Sequence, residues 1–140
     1  MTVKKKIAVS VILVTAAFII AAAIITTMFY PRRISCYLKI NIDKVNEIYF
    51  EYYEAGDMET SYLDREAYLG FVNELKNVKT VRKYYACKCE PIIEAYVLTD
   101  NKIYNITEYW FSQKDINGGD VSVIYYSDNG KLNEIFNKYK

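Results

Sequence analysis

Ile7–Tyr30 reads IAVSVILVTAAFIIAAAIITTMFY, 24 residues without a charge, between the basic run Lys4-Lys5-Lys6 and the sequence Pro31-Arg32-Arg33. A hydrocarbon core about 30 Å thick takes roughly 20 helical residues. At about 1.5 Å per residue this stretch reaches about 36 Å, enough to cross with some tilt. Only Ser10, Thr15, Thr26 and Thr27 interrupt it, and such hydroxyls bond back to their own helix carbonyls. Nothing ionisable lies inside, so transport or a proton relay has no foothold there. The stretch divides the chain into a cytoplasmic N-terminus (1–6), a transmembrane signal anchor (7–30) and a domain held at the membrane (31–140).

Two other readings fit less well. A cleavable signal peptide has an apolar region of roughly 7–15 residues that ends in small residues. Ala21-Ala22-Ala23 supplies small residues, but Ile24, Ile25, Met28 and Phe29 continue the run, so retention as an anchor is expected. Cys36 follows the run as in a lipoprotein, yet Arg33 stands where a lipobox carries leucine. Three lysines and the amino terminus precede the span, against Arg32 and Arg33 after it. The positive-inside rule therefore expects the N-terminus in the cytoplasm and the C-terminal domain outside, with localisation in the cell membrane.

Residues 34–140 carry 13 basic and 17 acidic residues, a net charge of −4. A mildly acidic domain meets phosphate backbones poorly, which argues against nucleic acid as a partner. This length makes one small domain with its own core. Fourteen of the 15 tyrosines fall in it, a residue suited to half-buried sheet surfaces where the ring packs and the hydroxyl stays wet.

Periodicity sets the elements. Ser35–Ile42 alternates, with Cys36, Leu38, Ile40 and Ile42 on one face, and reads as a half-buried strand. Val45–Glu54 resumes with Ile48, Phe50 and Tyr52 inward; Ala55-Gly56-Asp57 turns and Met58–Tyr62 returns. Asp64 is a candidate N-cap for a helix to Asn77, whose apolar stripe is Tyr68, Phe71, Val72 and Leu75. Gly70 inside it suggests a close approach to the sheet. Strands follow at Thr80–Cys89 (Val81, Tyr85, Cys87 and Cys89 on one face), Ile92–Leu98, Lys102–Phe111 and Val121–Tyr126. Lys114–Asp120 is a hairpin loop, and a closing helix repeats Leu132, Ile135, Phe136 and Tyr139. Hairpin-length links imply antiparallel pairing with two helices on one face, an α+β fold.

The element order over residues 45–139 resembles one half of the TATA-binding-protein fold, which implies a curved sheet with two helices on its convex side and no activity. The lysine-rich start, anchor and Ile-, Lys-, Asn- and Tyr-rich domain look like small signal-anchored extracytoplasmic proteins of low-GC Gram-positive bacteria. That likeness lies in layout and composition and implies no activity either.

Histidine is absent, which removes the commonest general base, the Ser-His and Cys-His pairs and the usual catalytic zinc ligands. No enzyme and no cofactor are expected. Cys36, Cys87 and Cys89 admit three readings: a soft-metal site for Cu(I) or Zn(II), a disulfide from Cys36 to either partner, or small apolar core residues. Asp115–Asp120 spaces oxygens like a calcium loop but lacks the bidentate glutamate at the twelfth place, where Tyr126 stands, and reads as a turn. Asn105-Ile106-Thr107 matches a glycosylation sequon. Glu90, Glu94 and Glu108 show no pairing in the sequence. Tyr104, Tyr109, Trp110, Phe111, Tyr125 and Tyr126 cluster in the last hairpin. At least half must face the core, and the remainder offer an interaction surface. The expectation is a single-pass membrane protein whose domain binds an envelope or membrane protein or serves as an accessory module. A thiol or soft-metal protein using the three cysteines is the alternative.

Overall fold

The computed structural model describes residues 3–84, 86, 88–127 and 130–140, with Lys4 through its backbone alone. The chain divides into two compact units, Met1–Tyr30 and Pro31–Lys140. The first is one helix, α1 (Val3–Phe29). Its segment Lys5–Phe29 is long and apolar enough to cross a membrane, with a mean hydropathy of 2.8 and none of it buried. Thr15 donates to the Val11 carbonyl at 2.8 Å, Thr26 to Ala22 at 2.6 Å and Thr27 to Ala23 at 2.9 Å. These bonds keep polar groups satisfied inside an apolar helix.

The second unit is α+β. Its strands are β1 (Arg32–Arg33), β2 (Val45–Glu54), β3 (Asp57–Tyr62), β4 (Lys79–Lys83), β5 (Ile93–Thr99), β6 (Lys102–Ile106), β7 (Trp110–Asp115) and β8 (Ser122–Ser127). They form one antiparallel sheet in the order β1-β4-β8-β7-β6-β5-β2-β3. Helices α2 (Tyr68–Asn77) and α3 (Lys131–Tyr139) cover one face. Phe50 of β2 meets Phe71 of α2 edge-on at 5.4 Å and Phe136 of α3 at 6.1 Å, so both helices share its side of the sheet. The expected stripes are the ones that pack: Tyr68, Phe71, Val72 and Leu75 are buried, as are Leu132, Ile135 and Phe136.

β2 buries Ile48 and Phe50 as its alternation requires, and a register shift between Val45 and Glu47 brings Val45, of the other parity, inward as well. It turns into β3 through Ala55 and Gly56 alone, since Glu54 pairs with Asp57. Both loop residues have positive φ, 55° and 93°, the pair that a type I′ turn demands and that matches strand twist.

Five expectations need correction. Ser35–Ile42 is not a strand. Ile34–Cys36 forms a 3₁₀ turn in which the Ile34 carbonyl accepts from Tyr37 at 2.9 Å and Leu38 at 2.8 Å. The turn sends Ile34 and Leu38 into the core and leaves Cys36 exposed. The Thr80–Cys89 strand ends at Lys83, and its inward residue is Thr80, 0% exposed, with Val81 half-buried. Thr80 can face inward because its hydroxyl donates to the Arg32 carbonyl at 3.3 Å. Tyr85 and Cys87, assigned to that strand's apolar face, lie outside the described residues.

The third correction concerns Lys102–Phe111, which is two strands, split by a turn at Thr107-Glu108-Tyr109 that contains neither glycine nor proline. Thr107 replaces them: its Oγ1 accepts from the Tyr109 and Trp110 amides at 3.1 and 3.0 Å, while its own amide donates to the Trp110 carbonyl at 2.9 Å. A threonine hydroxyl that mimics a backbone turn in this way closes the chain without special φ values. The fourth concerns Gly70, which approaches α3 and not the sheet. A Cβ there would stand 3.0 Å from the Tyr139 hydroxyl. Asp64 makes no side-chain cap, and a 3₁₀ turn at Arg65–Ala67 leads into α2.

Candidate interaction face

The face of the sheet opposite α2 and α3 is built from the residues that alternate with the core positions. In β2 these are Tyr49, between the buried Ile48 and Phe50, and Glu51, just after Phe50; in β5 they are Glu94 and Tyr96, between the buried Ile93, Ala95 and Val97. Antiparallel register sets them side by side. Tyr49 lies opposite both Tyr62 of β3 and Tyr96 of β5, and Tyr96 lies opposite Asn105 of β6. The Tyr49 and Tyr96 rings stack at 4.8 Å with 8° between their planes, and Tyr49 meets Tyr62 at 5.7 Å. Aromatic cross-strand pairs of this kind stabilise the sheet while leaving π-faces and hydroxyls towards solvent.

Beside this row lies an acidic patch. Glu51 and Glu94 are directly opposite each other across β2 and β5, an arrangement that like charges normally destabilise. Glu94 Oε2 relieves part of that cost by accepting from the Asn105 amide at 2.7 Å and the Tyr96 hydroxyl at 3.0 Å. Burial, then the charge of Glu94 and its hydrogen bond, push the Tyr96 hydroxyl far above its ordinary range. Burial and the charges of Glu51 and Glu47 raise Tyr49 as well. Both phenols therefore stay neutral donors at any physiological pH. The Oδ1 atom of Asn105 is buried without a hydrogen-bond partner among the described residues. The face brings together neutral phenol hydroxyls, carboxylate acceptors and flat aromatic surface, groups suited to recognition.

The residues singled out in the sequence divide between the two sides. Tyr104 and Tyr126 are buried at 6% and 0% exposure, and their hydroxyls donate to the Lys39 and Thr107 carbonyls at 3.2 and 2.5 Å. Burial removes both from any interaction surface. Phe111 is likewise in the core. Trp110 and Tyr125 are half-buried and opposite each other across β7 and β8, and Tyr109 sits half-buried in the Thr107 turn. Tyr49, Tyr62, Tyr96 and Glu51 escaped the sequence reading, and Glu94 was seen without its partners. The signal was present in the parity of β2 and β5, whose inward residues drew attention away from their complements.

The cysteines are not one constellation in the described residues. Cys36 is free and exposed, so it is not the staple to the sheet that one reading expected, and Cys89 is disulfide-bonded. Cys87 lies outside the described residues. Among the described residues no three His, Cys, Asp or Glu side chains are grouped to hold a metal ion. Asp115–Asp120 is a turn, with the Gly118 amide donating to the Asp115 carbonyl at 3.1 Å and positive φ at Gly118 and Gly119. The sequon is folded into the β6–β7 hairpin: Asn105 donates to Glu94 and Thr107 is fully buried. Glu90 is exposed. Glu108 is 5% exposed, and its Oε1 accepts from the Ile92 amide at 3.2 Å.

An open groove of about 830 Å³ lies between α2 and α3. Lys131 pairs with Glu134 and Lys138 with Glu74 on its walls, and Lys79 stands at its rim. No known protein family, curated protein or solved structure matches this chain.

Proposed function

We propose that the chain is a single-pass membrane protein that holds its α+β domain on the extracytoplasmic side as a binding or accessory module. The open sheet face does the binding. The observation that carries this reading is the row Tyr62–Tyr49–Tyr96 beside the opposed carboxylates Glu51 and Glu94. Aromatic rings next to unneutralised carboxylates suit an extended segment bearing lysine or arginine, through cation–π and charge-assisted contacts. An envelope or membrane protein is the partner class that the anchor implies. The apolar stretch of α1 and the lysines at its start support the anchor and its orientation. The likeness in element order to half of the TATA-binding-protein fold adds nothing to function.

Crosslinking in intact cells, followed by detergent extraction and mass spectrometry of what co-purifies, tests the binding. A membrane or envelope protein recovered with the wild type should be lost with Tyr49→Lys or Glu51→Lys and kept with Asn73→Ser on the helix side. Loss of none by either face variant would refute the assignment of the face. A reporter fused after Lys140 tests orientation, and activity only of a cytoplasm-dependent reporter would reverse it. The second reading, a thiol or soft-metal protein, is favoured only by the pairing of an exposed free Cys36 with a disulfide-bonded Cys89. Serine at Cys36, Cys87 and Cys89 should leave partner recovery intact; its loss would move the function to the thiols.

A further inference from the structure

The sheet carries a ramp of charge along its strand order. β1 and β4, at one edge, hold Arg32, Arg33, Lys79, Arg82 and Lys83 and no acid. β8 has no charge, β7 balances Lys114 against Asp115, and β6 holds Lys102 alone. Beyond them β5 has Glu94, β2 has Glu47, Glu51 and Glu54, and β3 has Asp57 and Glu59, none of these strands carrying a base. Side-chain alternation cannot produce such a gradient, because it acts along strands and not across them. Strand pairing produces it, by bringing Arg32–Arg33 beside Lys79–Lys83 from 46 residues away, with Arg33 directly opposite Lys79. Like charges placed opposite each other cost stability unless an anion lies near.

Chain connectivity says which anion. Only Tyr30 and Pro31 separate the end of α1 from β1, at most about 11 Å of chain. β1 is therefore the first element of the domain to follow α1 along the chain. We infer that the β1–β4 edge docks on the anionic lipid headgroups of the leaflet on the domain's own side, and that this stands the domain with its acidic, tyrosine-bearing strands away from the bilayer. Distance makes the two edges independent. Seven strand intervals of about 4.8 Å set them about 34 Å apart, several times the Debye length of about 8 Å at physiological ionic strength. The acid edge is thus screened from the headgroups while the basic edge touches them, and Arg32, Arg33, Lys79 and Arg82 are all exposed. The inference rests on the membrane-anchored reading and adds to it an orientation for the binding face.

The test uses the full-length chain in vesicles of phosphatidylcholine alone, and in vesicles with a third of it replaced by phosphatidylglycerol. A single environment-sensitive fluorophore is placed at Tyr84→Cys, exposed just beyond β4, in a Cys36→Ser background. Lipids spin-labelled at the headgroup quench it on approach. Quenching should be strong in the phosphatidylglycerol vesicles and several-fold weaker in phosphatidylcholine alone. It should vanish in about 0.5 M salt, where the Debye length is about 4 Å. The charge-reversed variant Arg32→Glu, Arg33→Glu, Lys79→Glu, Arg82→Glu should lose it too, and the salt titration on unreversed protein keeps the test decisive if that variant misfolds. Equal quenching in both vesicle types, or quenching indifferent to salt, would overturn the docking. Protein that does not float with either vesicle after a salt wash would overturn the anchored reading beneath it, a separate outcome.

Discussion

Tyr126→Phe tests the account of the turn that splits β6 from β7. The Tyr126 side chain is fully buried and its hydroxyl donates to the Thr107 carbonyl at 2.5 Å, with the Trp110 carbonyl at 3.3 Å. Removing one oxygen leaves the ring packing nearly unchanged and strands a carbonyl of a residue that is itself 0% exposed. The lost bond is worth about 1 kcal/mol net, and the stranded carbonyl brings the cost towards about 2 kcal/mol. For a domain of this size a cost near 2 kcal/mol is a fall in Tm of about 9 °C. Thr107→Val removes the hydroxyl that accepts from the Tyr109 and Trp110 amides, and should cost about 2–3 kcal/mol. Both changes open the same turn, so the double variant should cost less than the sum by at least about 0.5 kcal/mol. Trp110, the single tryptophan, sits at the end of this turn, so its fluorescence during denaturant unfolding of the full-length protein in detergent reads all three variants. A Tyr126→Phe cost below about 0.5 kcal/mol, or strict additivity, would refute the claim that the hydroxyl and Thr107 hold one unit.

Ala55 occupies a left-handed position with φ 55°, so Ala55→Asn, giving the preferred Asn-Gly loop, should raise stability by about 1 kcal/mol in the same denaturation assay. Gly70→Ala should destabilise the wild type by pushing the Tyr139 hydroxyl off Glu74, where it donates at 2.8 Å, yet stabilise a Tyr139→Phe background by up to about 1 kcal/mol of helix propensity. The Tyr96 hydroxyl is held above its ordinary range by burial and Glu94. A raised folded value stabilises below the unfolded value near pH 10, and that stability drains away as pH rises through the folded one. Stability should therefore decline above about pH 10, less steeply in Tyr96→Phe, as denaturation midpoints across alkaline pH would show.

Several features were legible because they are local. The 24 uncharged residues, the parity of Val45–Glu54 and the stripes of α2 and α3 each follow from one periodicity read along a short segment. The Thr107 turn was not legible, since threonine in a run of β-formers reads as strand until its hydroxyl is seen to replace backbone acceptors. Ser35–Ile42 failed for a related reason: alternation of apolar and polar residues does not distinguish a strand from a 3₁₀ turn that buries Ile34 and Leu38 four residues apart.

By itself the sequence determined where a helix long enough to cross a membrane lies, that the rest is α+β, and that histidine-based chemistry is absent. Hydrophobic period and composition are properties of neighbours along the chain, and they need no partner to be read. Only tertiary structure decided which tyrosines are buried and which are offered, and that Glu51 faces Glu94. It also decided that five basic residues from two distant segments line one edge of the sheet. Those are facts of register and strand order, set by which strand pairs with which once the core has closed, and no single segment carries them.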